Sequence, residues 1–401
     1  MMKSPAAAFA TVFLLLVACT AAVPPAPPQP VSASLGNRLA PALATLDSAI
    51  RAGAAPGAVL AVSVGGERFI YGTGRLGQDD ATRPSSTTLY DMASLTKVVA
   101  LTTVAMMAVE EGKLDLDAPV VRYLPEFAQG RGNKGSVTVR DLLLHDSGLP
   151  AHRALWTQSR GRSGAIRVAL ISDLETPPGT RMVYSDLGAI TLATVIERLY
   201  GKRIDQLFAE RVARPLGLQR TVFLPPRSWL PDIAPTELDP WRGRMLRGEV
   251  HDENAGRLKG ASGHAGLFSD AEGALTFGEW ALAGATGQRW GGALQPPAAF
   301  ASWTVRQDRP AGSSRALGWD TPSGVSSAGT LMSARSFGHT GFTGTSLWVD
   351  PTRDVVVVLL TNRVHPTRNT PQFGLIRSVV TDAVMRSLFG PIPPRPRPER
   401  N

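Results

Sequence analysis

Apolar positions recur along this chain with two different periods, and the changes of period mark out its elements. In "ALATLDSAIRAGAAPG" (42–57) they fall at helical spacing and stop at Pro56-Gly57, which predicts a helix ending there. "AVLAVSVGGERFIYGTG" (58–74) then has strand character on both sides of Gly65-Gly66, a hairpin signal. From Ser94 a helical pattern continues to about Glu111, with Gly112 as its stop. The middle of the chain carries further helical patterns at 187–201 and 204–218. Residues 224–266 show no period. A loop that long in a compact domain is usually functional or disordered, and Trp229 and Trp241 argue for an ordered one packed on the body.

Strand character returns in "TSLWVD" (345–350) and "VVVVLLTN" (355–362), a second hairpin around Pro351-Thr352-Arg353-Asp354, and 373–388 reads as a closing helix. Strands at both ends with helices between predict an α/β fold, a sheet flanked by helices. One lobe (about 36–115 with 280–390) is built from both ends of the chain, and a mostly helical lobe (about 116–279) is inserted. Residues 391–401, rich in proline and arginine, read as an extended solvated tail.

The first residues have a short basic end and an apolar run from Ala6 to Ala18, too short to span a membrane comfortably. Residues 1–18 therefore read as a secretory signal. The run ends in Leu16-Val17-Ala18-Cys19, similar to the bacterial lipobox, in which the cysteine is acylated. Cys19 is the chain's one cysteine, so no disulfide framework exists. The expectation is an exported, periplasmic lipoprotein, tethered through a proline-rich linker at 19–35. Signal cleavage nearby with Cys19 incidental is the plainer alternative.

A net charge of +9 raises nucleic acid as a partner, but the basic residues are scattered, with no helix stripe or block. No nucleic-acid partner is expected. A generally basic surface suits anionic membrane or cell-wall surroundings.

Ser94 and Lys97 stand one helical turn apart, close enough for their side chains to meet. A serine hydroxyl is a poor nucleophile until something takes its proton. A buried lysine can be neutral enough to help, or can act as a fixed charge. Taken alone the pair is weak evidence, since 28 serines and six lysines in 401 residues give about 0.4 chance matches. A helix cap beside a snorkelling lysine would look the same.

Further along stand Tyr184-Ser185-Asp186 before a helix, His339-Thr340-Gly341 leading into a strand, and "DLLLHDSGLP" (141–150). In order and spacing these motifs resemble the serine β-lactamase and penicillin-binding-protein superfamily: Ser-x-x-Lys, Tyr-x-Asn, Lys/His-Thr-Gly. The likeness covers about 36–390. It is nearest to class C β-lactamases, the DD-peptidases similar to them and family VIII esterases. "VHDENA" and "GHAGLFS" look like a subgroup of cell-wall DD-carboxypeptidases. The resemblance implies the β-lactamase/transpeptidase-like fold, with its antiparallel sheet, and no cofactor.

It also implies an acyl-enzyme on Ser94, with Lys97 activating the serine and Tyr184 shuttling protons. Gly341 would let the strand edge approach substrate, and the Ser94 and Phe342 N–H groups would bind the oxyanion. Asp186, His339, Thr340, Gly341 and Phe342 would line the substrate site. Two residues depart from the pattern. His339 replaces the lysine common in β-lactamases and offers less fixed charge near neutral pH. Asp186 replaces asparagine; ionised, it only accepts hydrogen bonds, and it could pair with Lys97.

No other motif competes. There is no Gly-x-Ser-x-Gly or His-Glu-x-x-His, and the remaining histidines lack metal-ligand spacing, so no metal is expected. His251-Asp252-Glu253 could rim the cleft or only order its loop. The expected function is a serine hydrolase, foremost a DD-carboxypeptidase-like enzyme on cell-wall peptides. The alternatives are an esterase on short acyl esters and a penicillin-binding or wall-sensing protein that acylates without turnover.

Overall fold

Val355–Thr361 is buried at every position, although a strand with one wet face would alternate. The computed structural model, which describes residues 32–324 and 326–395, shows why. In chain order the strands are β1 (Gly57–Val64), β2 (Glu67–Gly74), β3 (Tyr90–Asp91), β4 (Val222–Phe223), β5 (Leu267–Ser269), β6 (Phe337–Thr340), β7 (Ser346–Asp350) and β8 (Val355–Thr361). A short ribbon pairs Leu238–Asp239 with Arg244–Met245. Five strands form one antiparallel sheet, ordered β2-β1-β8-β7-β6.

Helices cover both its faces. Val59, Ala61, Val356, Val358 and Leu360 join the core that runs into the helical region, while Ala58, Leu60, Val62, Val355, Val357 and Leu359 join a second core on the opposite face. The main helices are α1 (Ala33–Arg51), α2 (Thr103–Glu110), α3 (Val139–Leu144), α4 (Asp186–Tyr200), α5 (Glu253–Arg257), α6 (Ala271–Thr286) and α7 (Ile376–Phe389). α1 and α7 pack together over the second core, and α6 lies over β1, β7 and β8 on the other face. The expected fold class stands: an α/β protein with an antiparallel sheet flanked by helices. A smaller sheet, β3-β5-β4, joins the Ser94 region to the middle of the chain.

Several boundaries differ from the sequence reading. α1 begins at Ala33, inside the expected 19–35 linker and well before 42, because the Ser32 hydroxyl caps it by accepting from the Leu35 N–H at 3.2 Å. Pro41 inside the helix and Gly36, whose missing side chain leaves room for the Phe69 ring, hid the period. The lobe boundary near 280 falls inside α6. That helix belongs to the sheet along its length, Gly278 lying directly against Val356. The helix expected from Ser94 starts just after it. Ser94 sits in a turn, and a wider π-helical segment, Lys97–Thr102, precedes α2.

The long loop is ordered, with Trp229 packed beside Leu89, Ile233 and Phe268. Trp241 is half-exposed, with the Arg242 and Arg257 guanidiniums over its ring. The tail is not wholly solvated: Arg395 bonds the Gly329, Thr330 and Met332 carbonyls. Residues 1–31, with the expected signal, Cys19 and nearly all of the linker, lie outside the described residues, as do 396–401.

Candidate active site

The turn that presents Ser94 is built by Asp91. One carboxylate oxygen accepts the Ala93 N–H at 2.8 Å and the other the His251 N–H at 2.6 Å. Ala93 is thereby held at φ +46°, a conformation rare outside glycine, so the chain turns sharply between β3 and the following helix. The turn after β6 is tied to the same place: the Thr343 hydroxyl donates to the Asp91 carbonyl at 2.7 Å and that of Thr345 to the Met92 carbonyl at 3.1 Å.

Lys97 follows on the first π-helical turn, buried. Its Nζ donates to Ser94 Oγ at 3.1 Å, Asp186 Oδ1 at 2.7 Å and the His264 carbonyl at 3.2 Å. Burial works to lower its pKa, but the Asp186 carboxylate and Tyr184 together outweigh burial and hold it above the ordinary lysine range. For Asp186, burial pushes upward and Lys97, with His152 beside it, pulls further down, to well below the usual carboxylate range. Lys97 is therefore a fixed ammonium, of the two roles the sequence left open.

Tyr184 sits on the stretch entering α4. His145 pins that stretch twice: its carbonyl accepts the Val183 N–H at 2.7 Å and its Nδ1 the Ser185 N–H at 3.1 Å. His145 does so from a left-handed conformation (φ +60°) at the end of α3. The Ser185 hydroxyl caps α4, accepting the Gly188 N–H at 3.1 Å. Lys97 Nζ stands 4.8 Å and the Arg315 guanidinium 5.0 Å from the centre of the Tyr184 ring. The rings of His145 and His339 lie 4.6 and 5.7 Å away. The Tyr184 hydroxyl is buried with no hydrogen-bond partner among the described residues.

β6 closes the other wall. His339 is buried, its Nδ1 2.8 Å from the Thr340 carbonyl, and its Nε2 has no partner among the described residues. Burial, then Arg315 and Lys97, push its pKa well below the usual histidine value, so the imidazole is neutral. Gly341 is also required by packing: a Cβ there would lie 2.4 Å from the Met92 carbonyl, so its absence admits the Ser94 turn. The Ser94 and Phe342 N–H groups have no backbone acceptor among the described residues, as an oxyanion site needs. Thr340 and Phe342 line the cleft, Phe342 half-exposed.

The cleft has a volume of ≈ 310 Å³ and holds Ser94, Tyr184, His339 and three arginines, Arg315, Arg363 and Arg377. Arg377 donates to the Gly341 carbonyl, and Arg363 Nε to that of Phe342 at 2.7 Å. Burial, then Arg363, push the Arg377 pKa down to about 9, so it remains a cation at neutral pH. A cavity of ≈ 580 Å³ elsewhere on the helical region is larger, but its Arg162 and Arg198 are paired with Glu197 and Glu126, and its lining offers no activated nucleophile.

The structure thus brings Ser94, Lys97, Tyr184, Asp186, His339, Thr340, Gly341 and Phe342 together, and adds His145, Arg315, Arg363 and Arg377. "DLLLHDSGLP" was the only sign of His145; nothing local singled out the arginines. The histidines are less dispersed in space than in sequence. Ligand atoms of Asp186, Asp252 and His264 lie within 4.8 Å of one another, a set that could hold a metal ion. Lys97 already supplies a cation there, bonded to Asp186 and to the His264 carbonyl.

Residues 44–381 match the family model described as Beta-lactamase. A relative from Escherichia coli (strain K12), named "Putative D-alanyl-D-alanine carboxypeptidase", is 33% identical over 318 residues, 71% of each chain. One of the same name from Salmonella typhimurium is 32% identical over 343 residues, 77% of this chain and 78% of the relative. Among solved structures, "EstCE1, a hydrolase with promiscuous acyltransferase activity" aligns over 88% of this chain and 100% of its own, at TM-score 0.68 and 24% identity. A class C beta lactamase from Rhodobacter sphaeroides aligns over 87% and 99%, at TM-score 0.67 and 21% identity. Both share the fold.

Proposed function

The chain belongs to the beta-lactamase family and is a serine hydrolase, and from that premise we propose that it acts as a DD-carboxypeptidase on cell-wall-type peptides ending in a free carboxylate. One observation carries this reading: Arg315, Arg363 and Arg377 share the cleft with Ser94 while His339 is neutral. Positive charge for a terminal carboxylate comes from guanidiniums, which bind carboxylates with planar, directional hydrogen bonds. The names of the relatives at 33% and 32% identity support the same substrate class.

In this reading Ser94 Oγ attacks the scissile carbonyl and forms an acyl-enzyme. The Ser94 proton passes to the Tyr184 oxygen as the Tyr184 proton passes to the leaving nitrogen, so a neutral phenol suffices. The charges of Lys97 and Arg315 over the ring offset negative charge developing there. The Ser94 and Phe342 N–H groups hold the oxyanion. Deacylation runs the relay in reverse, with water in place of the amine.

A second reading, an esterase, is favoured by Asp186. Its carboxylate is spent on Lys97 and offers no N–H to a substrate amide carbonyl. The experiment is to give the purified protein a D-Ala-D-Ala peptide, a p-nitrophenyl ester and a fluorescent penicillin. Peptide turnover supports the carboxypeptidase, ester turnover alone the esterase, and stable labelling without turnover the sensor. Export and acylation at Cys19 are proposed from the sequence alone; equal labelled fatty acid in a Cys19→Ser variant would refute the anchor.

A further inference from the structure

The tripeptide His251-Asp252-Glu253 lies in the long loop, and each of its residues reaches a different part of the site. The His251 N–H donates to Asp91, whose other oxygen holds Ala93 in the turn that presents Ser94. Its ring stacks on Phe342, 5.7 Å between centres and 23° between planes, while Nε2 bonds Glu237 at 2.8 Å. One buried residue therefore touches both the Ser94 turn and the turn after β6 that carries the second oxyanion N–H.

Asp252 acts on Lys97 through His264. Asp252 Oδ1 bonds His264 Nε2 at 2.8 Å, and His264 Nδ1 bonds Ser262 Oγ at 2.8 Å. With both ring nitrogens engaged the imidazole cannot swing, and the His264 carbonyl stays where Lys97 Nζ meets it. The same Asp252 oxygen caps α5, accepting the Ala255 N–H at 2.7 Å, so the carboxylate is itself fixed.

Glu253 closes a ring around His251. It accepts from Arg368 Nη2 at 2.7 Å; Arg368 Nε donates to Glu237 at 2.7 Å, and Glu237 bonds His251. Burial works to raise the Glu237 pKa, but the His251 and Arg368 bonds bring it down to about 2, so the ring keeps its negative charge. The Arg368 guanidinium also lies 5.9 Å from the Phe342 ring centre.

We propose that His251, Asp252 and Glu253 are positioning residues that set where the Lys97 ammonium and the Phe342 N–H stand relative to Ser94. A loop ordered only for its own stability would need no link to Lys97 through His264, to the Ser94 turn through Asp91 and to the Phe342 ring. The proposal rests on Ser94 being the acylated nucleophile, and not on which substrate it serves. An error of about 1 Å in such groups can cost about 10²-fold in rate.

The test uses an arylboronic acid, which adds to a serine oxygen as a tetrahedral adduct, beside hydrolysis of p-nitrophenyl acetate. Parent, Ser94→Ala, His251→Leu, Glu253→Gln, Asp252→Ala and Asp252→Asn proteins are compared, with Tm measured for each. His251→Leu and Asp252→Ala are expected to weaken boronate binding and lower kcat by about 10- to 100-fold, with KM little changed. Glu253→Gln is expected to do the same more weakly. Asp252→Asn, whose amide oxygen keeps both acceptor bonds, should recover most of the loss. If His251→Leu does not fold, the Asp252 pair decides. Folded variants with boronate affinity and kcat within twofold of the parent, and only a lower Tm, would overturn the proposal. A parent that binds boronate no better than Ser94→Ala would overturn the acyl-enzyme itself, and that result is read before any other.

Discussion

Two buried basic side chains face the Tyr184 ring from different walls of the cleft, and they end in opposite charge states. Lys97 comes from the helical turn that follows Ser94, and His339 from the strand opposite. Burial penalises charge on both. Lys97 has a carboxylate, Asp186, at 2.7 Å and stays an ammonium. The Nδ1 of His339 meets only a carbonyl, and two cations stand nearby, so it stays neutral. Residue type sets where each group starts, lysine about four pH units above histidine, and the partner within hydrogen-bond reach decides whether burial can move it further down.

That contrast can be broken or sharpened by substitution. The largest effect is expected from Ser94→Ala, which leaves both walls intact and removes what they serve. Labelling by fluorescent penicillin should fall by about 10³-fold or more. Next is Asp186→Ala, which puts Lys97 in the position of His339, buried with no carboxylate. Stranding a buried charge in this way costs about 3–5 kcal/mol, measurable by urea unfolding. The gentler Asp186→Asn should lower the Lys97 pKa and bring the alkaline limb of activity to lower pH, read from a pH–rate profile.

Arg377→Gln tests where the substrate's counter-charge lies. KM for a carboxylate-ended peptide should rise about tenfold, the worth of one charge-assisted hydrogen bond, while KM for a neutral ester stays within twofold. The smallest effect concerns acid. His145 and His339 both have folded pKa values well below the ordinary 6.5. The unfolded chain therefore binds the extra protons. Their stabilisation is complete above about pH 6.5 and is lost as pH falls below it, at about 1.4 kcal/mol per pH unit for each group. His339→Gln should flatten that slope by one group's share. The Asp186 contribution, with its depressed pKa, is lost only at lower pH, below about 3.9.

Much of the cleft could be read before folding because its chemistry sits in short motifs. Ser94 and Lys97 are one turn apart, Tyr184-Ser185-Asp186 stands at a helix start, and His339-Thr340-Gly341, expected to lead into a strand, closes β6. The φ of Ala93 was not legible, since Asp91, which holds it, is itself fixed by the His251 N–H and the Thr343 hydroxyl from far along the chain. Arg315 and Arg377 were not legible either. Nothing nearby in sequence distinguishes them from other arginines, and Arg377 reaches the cleft only because α7 folds back over the sheet. His145 lay in a noted stretch, but its work on Tyr184 runs through backbone bonds that no side-chain pattern records.

The order β2-β1-β8 has a consequence for how the molecule is made. Ala58 pairs with Thr361, so the β1–β2 hairpin has an unpaired inner edge until β8 has been translated. Arg363 and Arg377, two of the cleft's three arginines, emerge later still. A nascent polypeptide that has not yet reached β6 and α7 thus carries Ser94 without the wall that holds His339, Arg363 and Arg377.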